Sequence, residues 1–289
     1  MTYNLWYQSN NGNSIFFSLG SGIIISDIDG LTAVNSKMST SQGISQVGES
    51  ISGISVQGKL ITITGFILGA TKYWRKHLID TIVPNIRGRL IFNEEWFIDV
   101  EVENSPDISR ENYGAKFQFT VRAGYPYWQS TQETSVMLSG LVGKHRFMLN
   151  YGDPAVPDYH NFGMNVIEEY GNAKNTGNVP VPFRVVFRAI TPVENPKVIN
   201  IETLEIVGLE KQMAAGEMVV IDMTKPMLTV ISTNALRVSK DDFASLEIKS
   251  TIPFLLRQGD NLLKQDADLG REMLQCRVFF RTAIVGPYF

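Results

Sequence analysis

The sequence predicts a mainly β protein built from two β domains, residues 1–130 and 131–289, the first of which carries one short helix. Three observations lead there. Apolar and polar residues alternate with period 2 in segment after segment, the mark of strands with one buried face. Gly and Pro, 24 and 12 in number, punctuate those segments. An aromatic-proline stretch, Tyr125-Pro126-Tyr127-Trp128, followed by the polar run Gln129 to Glu133, interrupts the pattern near the middle of the chain. At 289 residues the chain is long enough for two domains, each with its own core.

In the first half, Lys59 to Phe66 and Arg89 to Phe92 are strand candidates. Trp96, Ile98, Val100 and Val102 point one way against Phe97, Asp99, Glu101 and Glu103. Phe117, Phe119, Val121 and Ala123 do the same against Lys116, Gln118, Thr120 and Arg122. Thr71 to Ile82 breaks the rule: Trp74, Leu78 and Ile82 recur every four residues, with Lys72, Arg75, Lys76 and Asp80 elsewhere on the wheel, and Pro84 ends the run. That is an amphipathic helix. Between Asn35 and Gly58 the chain is rich in Ser, Gly and Gln with scattered apolar residues, and is expected to be a long, partly extended excursion that serves as an arm to a neighbour. At Pro126 the strand must stop, because proline cannot donate to a continuing ladder, and the rings of Tyr125, Tyr127 and Trp128 are expected to plug the end of the first domain rather than form a sugar platform.

A second irregular tract, Tyr151 to Gly177, precedes the strands of the second half. Val181 to Ala189 alternates with Phe183, Val185, Phe187 and Ala189 on one side. Met218 to Met223, Met227 to Ile231 and Ser245 to Ile248 are expected as short strands, and Leu274 to Ala283 as the last. Many short strands with turn residues between them argue sandwich or barrel architecture in both halves.

No catalytic, cofactor or metal site emerges. His77, His145 and His160 are the only histidines and lack zinc spacing. Gly20-Ser21-Gly22 lacks the third glycine of a dinucleotide fingerprint. Asp27-Ile28-Asp29-Gly30 and Asp266-Ala267-Asp268-Leu269-Gly270 do not run on to the further ligands of a calcium loop and read as solvated turns. The acid pairs Glu94-Glu95, Glu168-Glu169 and Asp241-Asp242 are adjacent, so on a strand they face apart and cannot form a glycosidase pair. Cys276, the single cysteine, falls on a core face. The start, Met-Thr-Tyr-Asn-Leu-Trp, lacks the basic and apolar regions of a secretory signal, and no apolar run approaches the ~18 residues of a membrane span. Residues 1–128 carry 10 basic and 11 acidic side chains and the remainder 16 and 18, for a formal charge of −3, so neither half is a nucleic-acid-gripping module.

The ordered set "KLITITGFILG" (59–69), "YWRKHLIDTIVPNIRGRL" (73–90), "WFIDVEVENSP" (96–106) and "KFQFTVRAGYPYW" (116–128) resembles the distal tail protein family of long-tailed, non-contractile bacteriophages. "NTGNVPVPFRVVFRA" (175–189), "NPKVINIETLEIVGLEKQMAAGEMVVID" (195–222) and "PFLLRQGDNLL" (253–263) extend the likeness through the second half. The segments Ser36 to Ser55 and Leu262 to Gly270 depart from the family's pattern. The resemblance implies an N-terminal sandwich or split barrel and a galectin-like C-terminal β-sandwich. It also implies a non-enzymatic virion protein, made in the bacterial host cytoplasm, that forms a homohexameric ring at the distal tail tip. Its implied partners are the major tail tube protein, a tail-associated tip protein and a receptor-binding protein, with a channel through which DNA passes unbound, no membrane partner and no cofactor. A different expectation, a carbohydrate-binding module for host wall polymers, would use Tyr151, Tyr159, Phe162 and Tyr170.

Overall fold

The computed structural model describes residues 4–69, 71–111, 114–143, 163–167 and 170–287. It is mainly β and divides into two compact units, Met1–Gln132 with Ala283–Phe289, and Glu133–Thr282.

The first unit opens with β1 (Leu5–Ser9), β2 (Ser14–Phe17), β3 (Ile23–Asp29), β4 (Ser36–Ser41), β5 (Ser50–Val56) and β6 (Lys59–Ile67). The helix α1 (Thr71–Thr81) follows, then β7 (Arg87–Phe92), β8 (Trp96–Glu111), β9 (Gly114–Ala123) and β10 (Trp128–Ser130). The main antiparallel sheet runs β2-β1-β7-β8-β9-β6-β3. Its two ends, β2 and β3, are consecutive in the chain and meet at the Ser18–Ile23 bridge, so the sheet comes round on itself. The residues that alternation turns inward fill the interior: Ile61, Ile63, Ile98, Val100, Phe117, Phe119 and Val121 are all buried. Phe17 stacks on Phe117 and Phe119 at 5.8 and 6.0 Å between ring centres. Gly65 is required by this closeness, since a Cβ there would stand 2.2 Å from the Ile24 carbonyl oxygen and 2.5 Å from the Phe117 ring.

The outward face of the same strands is charged. Arg87 pairs with Glu101 at 2.9 Å, Arg89 with Asp99 at 2.7 Å and Arg122 with Glu103 at 2.9 Å. Exposed pairs of this kind contribute little stability, about 0–1 kcal/mol each. They do agree with the register, in which Arg87 and Arg89 stand opposite Glu101 and Asp99. The helix buries Leu78, with Ile82 just beyond its end, half-buries Trp74, and leaves Lys72, Arg75 and Lys76 exposed. Between β7 and β8 the chain turns through Asn93 and Glu94, both at positive φ, the geometry of a tight hairpin turn. β8 continues past Glu103 to Glu111, through register shifts between Val102 and Asp107 that accommodate Pro106.

The second unit begins with β11 (Thr134–Gly143), β12 (Gly163–Ile167), β13 (Gly171–Asn172), β14 (Val181–Ala189), β15 (Val193–Glu194), β16 (Lys197–Asn200), β17 (Ile206–Gly208) and β18 (Gln212–Met213). It is completed by β19 (Met218–Asp222), β20 (Thr229–Thr233), β21 (Ser239–Asp241), β22 (Leu255–Leu256), β23 (Leu262–Asp266) and β24 (Leu274–Phe280). One sheet runs β12-β11-β24-β14-β19-β20-β21 and another β13-β23-β16-β17. Phe183, Val185, Phe187, Cys276, Val278 and Phe280 come together where β14 pairs with β24. A buried polar link ties the sheets: Ser139 Oγ, on β11, lies against the Gln265 side chain of β23, donates to the Leu274 carbonyl at 2.7 Å, and accepts from the Cys276 N–H at 2.9 Å. The strand expected over Ser245 to Ile248 is instead a connection, entered through a short 3₁₀ turn at Phe243–Ser245. Its backbone is satisfied singly, by a Leu209–Leu246 bridge and by the Glu247 N–H on Gly208 O, rather than by a ladder.

The last strand, β25 (Ala283–Ile284), pairs with β10 in the first unit, with Trp128 opposite Ile284 and Gln129 opposite Ala283. The expected second domain, 131–289, includes these residues. In the structure Ala283–Phe289 group with Met1–Gln132 because β25 finds its hydrogen bonds there. The aromatic stretch is a plug, as Trp128 has no exposed surface and its indole N–H donates to the Leu31 carbonyl at 3.0 Å. Pro126 is buried, Tyr125 and Tyr127 meet edge to face at 5.3 Å, and burial raises the Tyr125 phenol to about 12. Beside Trp128 lies Lys59, 3% exposed, whose ammonium donates to the Leu31 carbonyl at 3.0 Å and to the Val285 carbonyl at 2.7 Å.

Truncating Trp128 to Ala should destabilise the first unit by about 3–5 kcal/mol, the range for removing a buried large aromatic side chain, as read by urea unfolding. Lys59 yields a pH signature. Burial lowers its ammonium from 10.5 to about 8, so between those values the unfolded chain holds more protons and folding gains stability as pH rises. The unfolding free energy of wild type relative to Lys59→Met should therefore increase from pH 8 to 10.5. A flat or falling difference would contradict a desolvated ammonium.

Candidate functional site

The most exposed ordered element of the first unit is the hairpin β4–β5. Its strands pair with one another and with no other strand among the described residues. The Gln57 N–H closes its base on the Asn35 carbonyl at 2.9 Å. Near the tip, the Gln46 N–H bonds the Gly43 carbonyl at 3.1 Å, the Gln46 side chain accepts from the Gly43 N–H at 3.2 Å, and its amide donates to Ser50 Oγ at 2.7 Å. The excursion expected to be only partly extended is thus a formed hairpin.

Its two faces differ. Ser36 stands opposite Val56, Met38 opposite Ile54 and Thr40 opposite Ile51, all on one face, while Lys37 opposite Ser55, Ser39 opposite Gly53 and Ser41 opposite Ser50 make the other. Ile51 shares the face of Ile54, three residues away, because the register shifts between Ser39 and Thr40, the signature of a β-bulge, where Ser52 Oγ donates to the Ser39 carbonyl at 3.0 Å. The result is a ribbon that is apolar on one side and polar on the other. Met38, Ile51, Ile54 and Val56 are 53%, 57%, 63% and 49% exposed, so the apolar side is uncovered. At the tip Ile44 and Val47 are fully exposed. A two-stranded ribbon is marginal alone in water, and one with an aliphatic face gains stability only when that face is covered. Both roots of the ribbon are held: Leu31 before it and Lys59 after it are joined by the Lys59 Nζ bond to the Leu31 carbonyl.

Several of the residues considered for chemistry, among those described, have structural roles. His77 bonds the Ser14 carbonyl at 3.1 Å and stacks on Tyr73 at 6.0 Å. His145, His160, Glu168 and Glu169 lie outside the described residues. Asp268 accepts from Lys197 at 3.0 Å and Asn195 at 2.9 Å, and these bonds hold its carboxyl below the usual range. Asp242 is engaged by Lys211, which also bonds Glu217, both at 2.6 Å. Cys276 is buried, and burial pushes its thiol up, away from reactivity. Among the described residues no group of three or more His, Cys, Asp or Glu could hold a metal, and no helix is long and apolar enough to cross a membrane. Of the four aromatics considered for sugar contact, Tyr170 is half exposed, and Tyr151, Tyr159 and Phe162 lie outside the described residues.

Neither a family model nor a curated protein matches the sequence. Among solved structures, the chain is similar to the Dit protein of SPP1, described as a paradigm of the hub of the adsorption apparatus in phages that infect Gram-positive bacteria. Identity is 10%, with 96% of this chain and 98% of that one covered and a TM-score of 0.65. The phage P2 baseplate in its activated conformation is also similar, at 9% identity: with calcium it covers 98% of both chains at a TM-score of 0.49, and with strontium 96% and 98% at 0.46. The chain shares the fold of the SPP1 Dit protein across nearly its whole length, including both units.

Proposed function

We propose that this chain is a structural protein of a phage tail, a hub at the distal end of a long non-contractile tail, and not an enzyme. The observation that carries the proposal is the full-length fold shared with the SPP1 hub protein at a TM-score of 0.65. The uncovered apolar face of β4–β5 supports it independently, because an element with that face needs a neighbour.

The proposed assembly is a homohexameric ring of first units around a channel, joined on one side to the tail tube protein and on the other to tip and receptor-binding proteins. In a closed ring each copy presents one surface and receives another, so an arm that reaches outward from every chain suits a head-to-tail contact. Its natural occupant is a second copy of this chain. Six copies would carry a formal charge of about −18, so the ring repels duplex DNA at physiological salt rather than holding it.

Light scattering of the full-length chain, with negative-stain imaging, should find six-copy rings at high concentration that show no salt-dependent retention of DNA. Replacing Met38 and Ile54 together by Glu should abolish the rings while changing urea stability of the dissociated chain by no more than about 0.5 kcal/mol, as for exposed positions generally. A wild-type chain that stays monomeric at every concentration would defeat the hub reading. Rings that persist in the double variant would remove the arm from the contact.

A further inference from the structure

The first unit is completed by residues that follow the entire second unit in the chain, so a growing chain delivers them after residues 133–282. They seat at one place. Ala283 and Ile284 are buried against β10, whose Gln129 is paired on one side with Phe97 of β8 and on the other with Ala283. The Val285 carbonyl takes one of the two hydrogen bonds from the Lys59 ammonium, and Gly286 lies so close to Thr32 that a Cβ there would meet Thr32 Cα at 2.6 Å.

That place is the root of the arm. Leu31 and Thr32 precede β4, and Lys59 follows β5. The segment Ala283–Gly286 therefore touches both strands of chain from which the hairpin springs. Without it, Lys59 keeps its charge in a buried position with one acceptor fewer, Trp128 and Gln129 lose the strand they pair with, and the core loses Ile284. An arm whose roots are loose presents its apolar face in no fixed direction, and a docking contact then has to bear the ordering cost.

We propose that Ala283–Gly286 is a closing segment that makes the first unit competent to assemble: the arm is set for a second copy only once this segment has seated on β10, Leu31 and Lys59. The proposal rests on the reading of the first unit as the ring former. It makes assembly wait for synthesis of the second unit, so that incomplete chains are kept out of the ring.

A chain ending at Thr282 is refolded from urea with and without excess synthetic peptide covering residues 281–287, beside the full-length chain. Amide exchange and mass are followed together. Without peptide, residues 31–35, 57–61 and 128–130 should exchange at least about tenfold faster than in the full-length chain, while β14, β19 and β24 remain protected and the chain stays monomeric. With peptide, protection and rings should return. The proposal is overturned if the shortened chain alone protects these residues and assembles like the full-length chain, or if the peptide restores neither protection nor assembly. Should the full-length chain itself form no ring, the hub reading fails and the assembly part of the proposal with it, and the exchange data then decide only whether the segment fixes the roots of the arm.

Discussion

The root of the arm in the first unit is tied at the carbonyl oxygen of Leu31. It accepts from the Trp128 indole and from the Lys59 ammonium, both buried. A lone buried ammonium is costly in an apolar interior, and Lys59 is held there by two carbonyls rather than by a carboxylate. Those carbonyls come from the connection leading to the arm and from the returning C-terminal segment. One charged group thereby joins three parts of the chain far apart in sequence: the exit from β3, the start of β6 and the residues after β25. The position also explains why Trp128 ends the run of aromatics as a plug. Its ring fills the core against Phe92, 6.2 Å away and edge-on, while its one polar atom finds the acceptor it needs.

What this knot holds in place is a surface the single chain cannot satisfy. The sheet behind it is conventional in its energetics, with an aliphatic and aromatic interior and charge pairs outside. The hairpin β4–β5 reverses that logic, ordered in its backbone and apolar toward solvent. The proposed self-association would cover that face, because every copy of the chain carries the same arm. The fold shared with the SPP1 Dit protein and the uncovered face of the hairpin are the two separate observations on which the proposed ring rests.

Much of the fold was legible in the sequence where periodicity was unbroken. The inward residues of β6, β8, β9, β14 and β24, and the buried side of α1, follow directly from period 2 or 3.6. Lys59 was legible only as the start of a strand: it shares parity with Ile61 and Ile63, but a lysine at that phase looks like a strand end rather than a core residue. The hairpin was hidden by its own bulge: with Ile51 and Ile54 three residues apart, alternation fails although both lie on one face. β8 beyond Glu103 was hidden likewise by register shifts and Pro106. The return of β25 left no trace, because two residues have no period and their partner is fixed by tertiary contacts. For the candidate site, polarity and Ser-rich composition pointed to an arm, but not to its amphipathic division.

The most direct test of the central claim, that the apolar face of the arm is covered by another copy, is oxidative footprinting of methionine as a function of protein concentration. Met38 lies on that face and Met227, 79% exposed, lies in the second unit. Oxidation of Met38 should slow several-fold as rings form, while Met227 continues to oxidise at the rate of the dissociated chain. Equal oxidation of Met38 in the ring and in the monomer would contradict the account, since it would leave the arm uncovered where its physical reason for existing is to be buried.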